Sequence, residues 1–382
     1  MPDNDPKKLR ILFILEYYPP HVGGGETLFR DLARGLVGLG HECAVVTARL
    51  AGTPAFEMDG GVAVHRVAVP KTGDRHWFTL LALPLCLKLA RRADIIHTMT
   101  YNAALPAWLA ARLRRKPAVI LVHEVLGPAW RRLGFPRLLA LCYRFAEALV
   151  LSLPFDCYAA NSRATLRSLS AHGIALSRIS LAYPGVDASL FGAPPKVSRE
   201  KIRRLLDLNG SQPAALYFGR PGPVKGVEIL VRAAALVRGI FPDFRLVLIL
   251  SPDPPSGRAR VDALAREAPA GSVTILPPQP RELLPAFAAA CEVVAVPSLS
   301  EGFGFTTAET CAAGRPVAAT RVGAAFEVVS GRFLLVPPEN PEALAAGIVK
   351  ALLGRTEARP PRRFETSSMV AAHVDLYRRR LL

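Results

Sequence analysis

The stretch Val293–Gly314, VVAVPSLSEGFGFTTAETCAAG, decides the fold. Val293–Val296 is a short, β-branched apolar run, the pattern of a strand that is buried on both faces, and a Pro-Ser pair ends it. A loop with two glycines follows. A helix is then predicted from about Thr306 to Gly314, since glycine favours the left-handed position after a helix. The stretch therefore predicts a strand, a loop and a helix in direct succession.

Two glutamates lie at this junction, Glu301 in the loop and Glu309 about one turn inside the helix. Glycines and free N–H groups at a helix N-terminus bind anions such as phosphate. Carboxylates accept hydrogen bonds from vicinal hydroxyl groups, so the pair suits a ligand that carries a sugar or ribose diol as well as phosphate. A plain strand, loop and helix in which the glutamates are only solvated would account for either acid alone. This alternative fits the complete string Val293–Gly314 badly.

The longer string Ser298–Val329, SLSEGFGFTTAETCAAGRPVAATRVGAAFEVV, resembles the signature of retaining, nucleotide-sugar-dependent glycosyltransferases of family 4, also called group 1. The resemblance implies an α/β fold of the GT-B type, with two Rossmann-like, doubly wound domains that face each other across a cleft. In that family the first glutamate lies beside the donor sugar and the second binds the donor ribose. The resemblance gives Glu301 and Glu309 those roles. It also places three loop residues at the donor: Gly302, Phe303 and Gly304.

The length and composition indicate a globular chain with two domains of ordinary size. Hydrophobic residues make up 51% of the 382 residues and charged residues 21%. The formal net charge of +17 favours anionic partners: nucleic acid, phosphorylated substrates or an acidic membrane surface.

The sequence also bears on the cellular location. The six cysteines are scattered without a Cys-x-x-Cys pair, which argues against a zinc site or a disulfide framework and for a reducing compartment. The start MPDNDPKKLR is too polar for a signal peptide. No run of about 18 uncharged apolar residues is present, which argues against a spanning helix. We therefore expect a cytoplasmic protein and consider a peripheral position at the inner face of a membrane.

The N-terminal region predicts the first unit of a doubly wound sheet: a strand over Leu9–Leu15, a glycine-rich loop, and a helix over about Glu26–Leu39. The loop glycines would let the backbone approach a ligand, but a plain tight turn fits them equally well. Family members carry a similar Gly-Gly-x-Glu loop that faces the donor diphosphate and the acceptor. The resemblance therefore assigns Gly24 and Gly25 to donor binding.

Strands and helices keep alternating through the first half, which predicts a mainly parallel sheet with helices on both faces. Ligands of such sheets bind beyond the C-terminal strand ends, where His97 and His123 both lie. A histidine there is often only a capping or packing residue. The family histidine that contacts the donor sugar follows a strand in an HE pair, so the resemblance assigns a catalytic role to His123. Strands are predicted near Glu42–Ala48, Val62–Val69, Ala93–His97, Ala118–His123, Asp156–Ala160 and Ser180–Ala182.

A change of domain is predicted within Tyr183–Glu200, which is rich in Pro, Gly and Ser. Its part PGVDASLF resembles the inter-domain segment of the family, although this chain has Pro184 where the family usually has Asn. We predict an N-terminal acceptor-side domain over residues 1–186 and a C-terminal donor domain over residues 187–363. The last helix, over residues 364–382, should return to the N-terminal domain.

The donor domain begins with a predicted helix near 201–208 and a strand over Ala214–Phe218. Gly219 and Arg220 close this strand, and Lys225 lies at the start of the next helix. Two positive charges are unfavourable at a helix N-terminus, which is the positive end of the helix dipole, unless an anion is bound between them. A solvated loop also fits these residues. The Gly-Arg…Lys-Gly motif of the family binds the donor diphosphate through its Arg and Lys, so the resemblance gives these residues that role.

Two further segments carry predictions: SPDPPSGRAR, which follows Leu250, and Val125–Phe145. Strands are predicted over Arg245–Leu250, Val273–Leu276 and Pro316–Ala319. After the first of them, where relatives often continue with Gly-x-Gly, this chain has SPDPPSGRAR, and we expect a diverged loop on the side of the donor base.

The other segment is Val125–Phe145, in which Trp130 and Phe135 lie among arginines before an apolar helix. These residue types suit an interface with anionic lipid, but a core helix with a solvated basic flank fits about equally well. We hypothesise that this segment meets a lipid-linked acceptor at a membrane.

Together these features predict a retaining hexosyltransferase that moves a sugar from a nucleoside diphosphate sugar to a hydroxyl of a glycan or a lipid-linked acceptor, as in cell-envelope or polysaccharide biosynthesis. Arg220, Lys225 and the amides after Glu301 would stabilise the charge on the leaving diphosphate, so no metal ion or cofactor is expected. The alternatives are a nucleotide-sugar epimerase of the same fold and a non-enzymatic, basic nucleic-acid-binding protein. The two acids in the best pocket argue against nucleic acid as a partner.

Overall fold

The computed structural model of this chain describes residues 8–381. The first seven residues, which form most of the polar start that we judged unlike a signal peptide, lie outside the described part, as does Leu382. The chain divides into two compact units. Unit 1 comprises residues 8–185 with 365–381, and unit 2 comprises residues 186–364.

Unit 1 contains an eight-stranded sheet within its described residues, with the strand order β3-β4-β2-β1-β5-β6-β7-β8. All neighbours are parallel except β3 and β4, which form an antiparallel hairpin that the sequence did not predict. The strands are β1 Arg10–Ile14, β2 Glu42–Ala48, β3 Phe56–Asp59, β4 Val62–Val67, β5 Ile95–Met99, β6 Ala118–Val122, β7 Cys157–Ala160 and β8 Ile179–Leu181.

The helices of unit 1 connect these strands, and one further helix comes from the C-terminal end of the chain. Those on the main run are α1 Gly24–Gly38, α2 Asp74–Leu81, α3 Leu83–Ala90, α4 Ala104–Arg114, α5 Arg137–Ser152 and α6 Arg163–Ala171. Short 3-10 segments span Gly127–Arg132 and Leu176–Arg178.

The C-terminal helix packs back on unit 1, as predicted. It spans Thr366–Leu381 and lies against α1, where Gly35 faces Val370 so closely that a Cβ at position 35 would overlap the valine side chain. The fully buried His97 shares a hydrogen bond between its Nδ1 and the Tyr377 hydroxyl at 2.6 Å. His97 is therefore a core residue that holds this helix to the sheet, which explains why it is not part of a site.

Unit 2 contains a seven-stranded sheet within residues 186–364, with the strand order β11-β10-β9-β12-β13-β14-β15. Only the edge strand β15 is antiparallel to its neighbour. The strands are β9 Ala214–Gly219, β10 Arg245–Leu250, β11 Val273–Leu276, β12 Val293–Val296, β13 Val317–Thr320, β14 Gly331–Val336 and β15 Glu357–Arg359.

The helices of unit 2 alternate with these strands, so that the sheet has the doubly wound form that the sequence predicted. They are α7 Ala188–Phe191, α8 Arg199–Leu205, α9 Val227–Arg238, α10 Pro255–Glu267, α11 Leu284–Ala290, α12 Phe305–Ala312, α13 Ala325–Val328 and α14 Pro341–Leu352, and the C-terminal helix of unit 1 is α15. Single 3-10 turns span Pro223–Lys225 and Arg281–Leu283.

The expectation of a diverged loop after β10 was partly wrong. Most of SPDPPSGRAR belongs to helix α10, which begins at Pro255. Proline is favoured in the first helical turn, because an N–H at that position would have no acceptor within the helix and its absence costs nothing. The prolines of this segment therefore mark a helix start. Gly257 allows this helix to lie against the Pro221 carbonyl, which a Cβ at position 257 would overlap.

In each sheet, the strands that follow the first one in sequence extend the sheet on one side of it. At one point, the switch point, the later strands begin to extend the sheet on the other side of that first strand. In unit 1 this point lies between β1 and β5, and in unit 2 between β9 and β12. Ligands of open α/β sheets bind outside the carboxyl ends of the strands at such switch points. No helix among the described residues is both long and apolar enough to cross a membrane.

Candidate functional site

The predicted site residues of unit 2 converge on the switch point between β9 and β12. The two strands are parallel neighbours, with Val294 opposite Leu216, so the loops that follow them lie side by side. The Leu299 amide donates to the Val224 carbonyl at 2.7 Å and joins the two loops. The structure thus brings together Arg220 and Lys225 after β9 with the acidic loop after β12, although about 75 residues separate them along the chain.

The centre of this group is an ion pair between Lys225 and Glu301. Lys225 Nζ donates to Glu301 Oε1 at 2.7 Å, and the Ser298 hydroxyl donates to the same oxygen at 2.7 Å. Both side chains are only partly exposed, which leaves the pair accessible from one side. An ammonium has three N–H donors and a carboxylate can accept several bonds, so each partner retains capacity for a ligand.

The backbone of Glu301 is fixed by the next loop of the sheet. The Ala324 amide donates to the Glu301 carbonyl at 3.0 Å. Gly323 adopts a φ of +47°, and a Cβ at this position would overlap the Glu301 carbonyl oxygen. Only glycine fits such a close approach in the left-handed region. The loop after β13 therefore positions the acid of the loop after β12.

We expect Gly323→Ala to lower activity more than tenfold and to reduce the free energy of unfolding by about 2–3 kcal/mol, because strain and overlap act together. Gly354→Ala is the matched control, since Gly354 also has a positive φ of +72° but has no atom within 4 Å of the built Cβ. Kinetics with a nucleotide-sugar donor and urea unfolding would measure both effects. Equal losses in the two variants would show that the overlap with Glu301 has no role.

Helix N-termini supply further groups for an anion. The helices α1, α9 and α12 begin at the switch points and have glycine as N-cap: Gly23, Gly226 and Gly304. Glycine has no side chain that could accept from the amides of the first turn, so those N–H groups can bind a ligand. By contrast, α6, α8 and α14 are capped by side chains that accept from a first-turn amide, those of Ser162, Ser198 and Asn340.

Arg220 follows β9 directly, and its side chain is exposed. Its carbonyl accepts from the hydroxyl of the buried Tyr217 at 3.0 Å, which fixes the backbone where the strand ends. Gly219 is the last residue of β9. The two cations of the predicted diphosphate motif therefore differ, because Lys225 is held by Glu301 whereas the guanidinium of Arg220 faces solvent.

Glu309 lies in α12 and is paired with a residue that the sequence analysis did not single out. Arg281 Nη2 donates to Glu309 Oε1 at 3.0 Å. Burial of the carboxyl raises the pKa of Glu309 to about 7, and the opposing charge of Arg281 keeps the pKa from rising further. At neutral pH this carboxyl is therefore close to the midpoint of its titration.

Arg281 is itself placed by residues of another helix. Its guanidinium lies over the Phe191 ring, with 5.7 Å from Cζ to the ring centroid, and Asp187 acts electrostatically on both Arg281 and Glu309. The side chains come from α7, a 3-10 turn and α12. No linear motif connects Arg281 to Glu309, which explains why sequence spacing gave no signal for this pair.

Phe303 serves the loop through packing. Its side chain is buried, and its ring contacts those of Phe305 and Phe364 with centroids 5.2 and 5.0 Å apart. Gly302 is partly exposed and Gly304 is the N-cap of α12. Any donor contact from Phe303 would therefore be made by its backbone, while its ring anchors the loop in unit 2.

The predicted site residues of unit 1 form a second group. Gly24 and Gly25 are the first two residues of α1, and a Cβ at Gly25 would lie 3.1 Å from His123 Nε2 and 3.2 Å from Met99 Cε. His123 directly follows β6, and its carbonyl accepts from Asn161 Nδ2 at 2.9 Å. The imidazole thus lies beside the first turn of α1, near the unit 1 switch point.

Glu26 in the first turn of α1 extends this group. Its Oε1 lies 2.7 Å from His21 Nδ1, and the Tyr17 ring stacks on the His21 ring at 4.2 Å between centroids. His21 and Tyr17 are not marked by any sequence motif, since the loop between β1 and α1 carries several polar residues and only the folded loop brings these two to Glu26.

Within the described residues, we find no group of three or more His, Cys, Asp or Glu side chains placed to hold a metal ion. The expectation that the reaction needs no metal stays a prediction.

Comparison with known proteins matches both halves of the chain to family models. The model described as Glycosyltransferase Family 4 matches residues 22–190, and the model described as Glycosyl transferases group 1 matches residues 212–353. The D-inositol 3-phosphate glycosyltransferase of Thermomonospora curvata is 30% identical over 309 residues, which cover 74% of this chain and 67% of that protein.

Solved structures match the chain over nearly its full length. The sucrose-phosphate synthase from Thermosynechococcus elongatus has a TM-score of 0.83 at 24% identity and covers 97% of this chain and 99% of its own. Anabaena HepE in complex with UDP-glucose has a TM-score of 0.75 at 20% identity and covers 97% of this chain and 100% of its own. These likenesses confirm the prediction of two Rossmann-like, doubly wound domains of the GT-B type.

Proposed function

Because this chain belongs to glycosyltransferase family 4, we propose that it transfers a hexose from a nucleoside diphosphate sugar to an acceptor hydroxyl with retention of the anomeric configuration. The ion pair of Lys225 and Glu301 at the unit 2 switch point carries this proposal. A pyrophosphate needs cations and backbone amides, and a sugar needs a carboxylate for its hydroxyl groups. Both requirements are met within one pair of adjacent loops.

The proposed reaction relies on electrostatic stabilisation of the leaving group. Negative charge grows on the diphosphate as the bond to the anomeric carbon breaks, and preorganised cations and amides stabilise that charge. Lys225, Arg220 and the first-turn amides of α12 would provide them. With these groups in place, the proposed reaction uses neither a bound metal ion nor a cofactor.

The carboxylates have different proposed roles. Glu301 would accept hydrogen bonds from the donor sugar while keeping its contact with Lys225, and Glu309 would accept from the two ribose hydroxyls. In unit 1, His123 would contact the donor sugar, with Gly24 and Gly25 leaving space at the start of α1. Retention would follow from same-face attack with the leaving phosphate as base, or from a covalent intermediate.

The acceptor is proposed as a glycan or a lipid-linked hydroxyl, in a cytoplasmic reaction of cell-envelope or polysaccharide biosynthesis, with peripheral contact to an anionic membrane. The relative named D-inositol 3-phosphate glycosyltransferase makes phosphorylated polyols a sensible first acceptor class to test. NMR of the product would give its anomeric configuration, and an inverted configuration would remove the retaining mechanism.

A panel of nucleoside diphosphate sugars in a thermal-shift assay tests donor binding. A donor present at 100 times its Kd should add about 2.7 kcal/mol to the free energy of unfolding. The UDP-glucose complex of HepE makes UDP sugars the first set to try. If no nucleotide sugar raised the melting temperature, the proposed donor class would be wrong.

Incubation of the donor alone separates transfer from epimerisation. An epimerase would isomerise the sugar without an acceptor, whereas a glycosyltransferase would return the donor unchanged apart from slow hydrolysis. Epimerised nucleotide sugar in the absence of acceptor would favour the alternative enzyme of the same fold.

A further inference from the structure

Helix α5 of unit 1 carries an apolar stripe on its solvent side. Four large apolar residues are spaced by three or four positions along the helix, which places them on one face. All are well exposed: Leu138 at 75%, Leu141 at 49%, Phe145 at 70% and Leu149 at 55%. A surface helix normally turns polar residues to water, so the outer face of α5 has the opposite character.

The helix is nevertheless docked on unit 1 by its other face. Ala140, Glu147 and Leu151 are buried there. The Glu147 carboxylate accepts from the amides of Leu126 and Gly127 at 2.8 and 2.6 Å. The buried face is thus defined by packing and by hydrogen bonds, and the exposed stripe lies on the far side from it.

The charges of α5 are all positive where solvent can reach them. Arg137 and Arg144 are seven positions apart, so they lie on the same flank of the helix, between the buried face and the stripe. The single acid of the helix is the buried Glu147. Arg131, in the preceding 3-10 turn, adds another exposed cation.

Aromatic rings join the N-terminal half of α5 to the preceding segment. The Trp130 ring lies 5.1 Å from that of Tyr143 and 6.0 Å from that of Phe135, measured between centroids. Trp and Tyr are enriched where protein meets the lipid headgroup region, because one part of each side chain is apolar and another can hydrogen-bond.

We propose that the outer face of α5 is a membrane-docking surface that inserts Leu138, Leu141, Phe145 and Leu149 among anionic lipids. The apolar stripe would enter the boundary between headgroups and acyl chains, and the flanking arginines would pair with lipid phosphates. The helix would lie in the plane of the membrane.

A second copy of this chain fits the surface less well than anionic lipid does. A symmetric contact uses the same patch on both copies. It would bring the arginines of two α5 helices into one interface with no exposed acid of α5 to neutralise them. The charge of the helix therefore selects an anionic partner.

The inference rests on the proposed function in one respect: a lipid-linked acceptor would be the reason for the protein to contact a membrane. The 3-10 turn and α5 follow β6 and His123 along the chain, so the docking surface belongs to the same connection as a predicted site residue. Lipid binding itself can be measured without any substrate, so that its failure and the failure of donor binding are separate results.

The full chain is mixed with vesicles of neutral phosphatidylcholine, or of phosphatidylcholine with about 30% phosphatidylglycerol, and sedimented. We expect binding to the anionic vesicles. The variant Phe145→Gln/Leu149→Gln should bind them at least about tenfold more weakly, since it loses the apolar contacts. The variant Arg137→Gln/Arg144→Gln should bind about 20- to 30-fold more weakly, from about fivefold for each cation.

Matched variants in unit 2 control for general effects of the substitutions. Leu236→Gln/Ile240→Gln replaces two other exposed apolar residues, and Arg232→Gln/Arg266→Gln removes the same charge from exposed positions. Both should bind vesicles as the unmodified chain does. Melting temperatures and the donor thermal shift of every variant establish that the fold and the donor site are intact.

The proposal is overturned if the unmodified chain stays in the supernatant with anionic vesicles, or if the α5 variants sediment with them as strongly as the controls. It is also overturned if sedimentation velocity shows a dimer that the α5 variants abolish while vesicle binding is absent, since a second copy would then cover the stripe.

Discussion

Replacing Lys225 with alanine should lower kcat/KM for the donor by about 10²–10³-fold, the usual effect of removing one group that stabilises developing charge. Lys225 donates to Glu301 at 2.7 Å and lies at the start of α9, where the diphosphate is proposed to bind. The variant loses a cation at that position and leaves the Glu301 carboxylate without its neutralising partner. Steady-state kinetics with saturating acceptor would measure the loss.

The fold should survive this substitution. The Lys225 side chain is about one quarter exposed, and ion pairs of that kind contribute at most about 1 kcal/mol to the free energy of unfolding. Lys350→Ala, at an exposed position in α14, is the matched control and should keep full activity. Near-normal kinetics in the Lys225 variant would contradict the diphosphate assignment, and a parallel test with Arg220→Ala would show whether the exposed cation shares the role.

Replacing Glu309 with glutamine should raise the donor KM by about 10- to 100-fold with a smaller effect on kcat, because hydrogen bonds to a charged group contribute about 1.5–3 kcal/mol. The amide retains the shape of the side chain but loses the negative charge and the ion pair with Arg281. Glu342→Gln, an exposed acid in the first turn of α14, is the control. An unchanged donor KM would contradict the ribose role of Glu309.

The pKa of Glu309 gives this prediction a pH dependence. The pKa in the folded chain is about 7, above the ordinary value of a glutamate, so the folded state binds the proton more strongly than the unfolded state. The contribution of Glu309 to the free energy of unfolding therefore falls as the pH rises from about 4.5 to about 7. Donor binding should show the opposite trend, because the ionised carboxylate accepts more hydrogen bonds from the ribose.

We therefore expect the donor KM of the unmodified enzyme to fall as the pH rises through about 7, and the donor KM of Glu309→Gln to lack this step. The variant Arg281→Met should move the step to higher pH, since Arg281 lowers the pKa of Glu309. The variant Arg281→Lys should restore much of the original profile. If the donor KM of Arg281→Met changed at the same pH as that of the unmodified enzyme, the pair of Arg281 and Glu309 would have no influence on donor binding.

The sequence was sufficient for elements whose pattern is local. The strands Glu42–Ala48, Arg245–Leu250, Val273–Leu276 and Val293–Val296 begin and end where the apolar runs do. Strands β10 and β12 lie inside the parallel part of the unit 2 sheet, so both of their faces are buried and their sequences are almost wholly apolar. The glycine-bounded helix α12 and the return of α15 to unit 1 were also predicted.

What the sequence could not predict depends on contacts between distant segments. Arg281 meets Glu309 only because a 3-10 turn and a helix are neighbours in unit 2, and the fixation of Glu301 by Gly323 needs a loop of the next strand. Strand β4 was predicted, but its antiparallel partner β3 was not, because in the sequence FEMD the acids Glu57 and Asp59 alternate with the exposed Phe56 and Met58 and no apolar run marks the strand. The departure of SPDPPSGRAR from the Gly-x-Gly of relatives suggested a diverged loop, but most of this segment belongs to helix α10, which begins at Pro255.

The glycine N-caps of α1, α9 and α12 have a consequence for donor binding. A helix whose first amides have no acceptor is weakest at that end, whereas helices with a serine or asparagine cap are complete on their own. The N-cap residues of these three helices have no side chain that accepts from a first-turn amide, and a pyrophosphate is proposed to accept from such amides of α9 and α12 in unit 2. A bound pyrophosphate would then stabilise the N-terminal ends of α9 and α12 in the way that Ser162, Ser198 and Asn340 stabilise those of α6, α8 and α14.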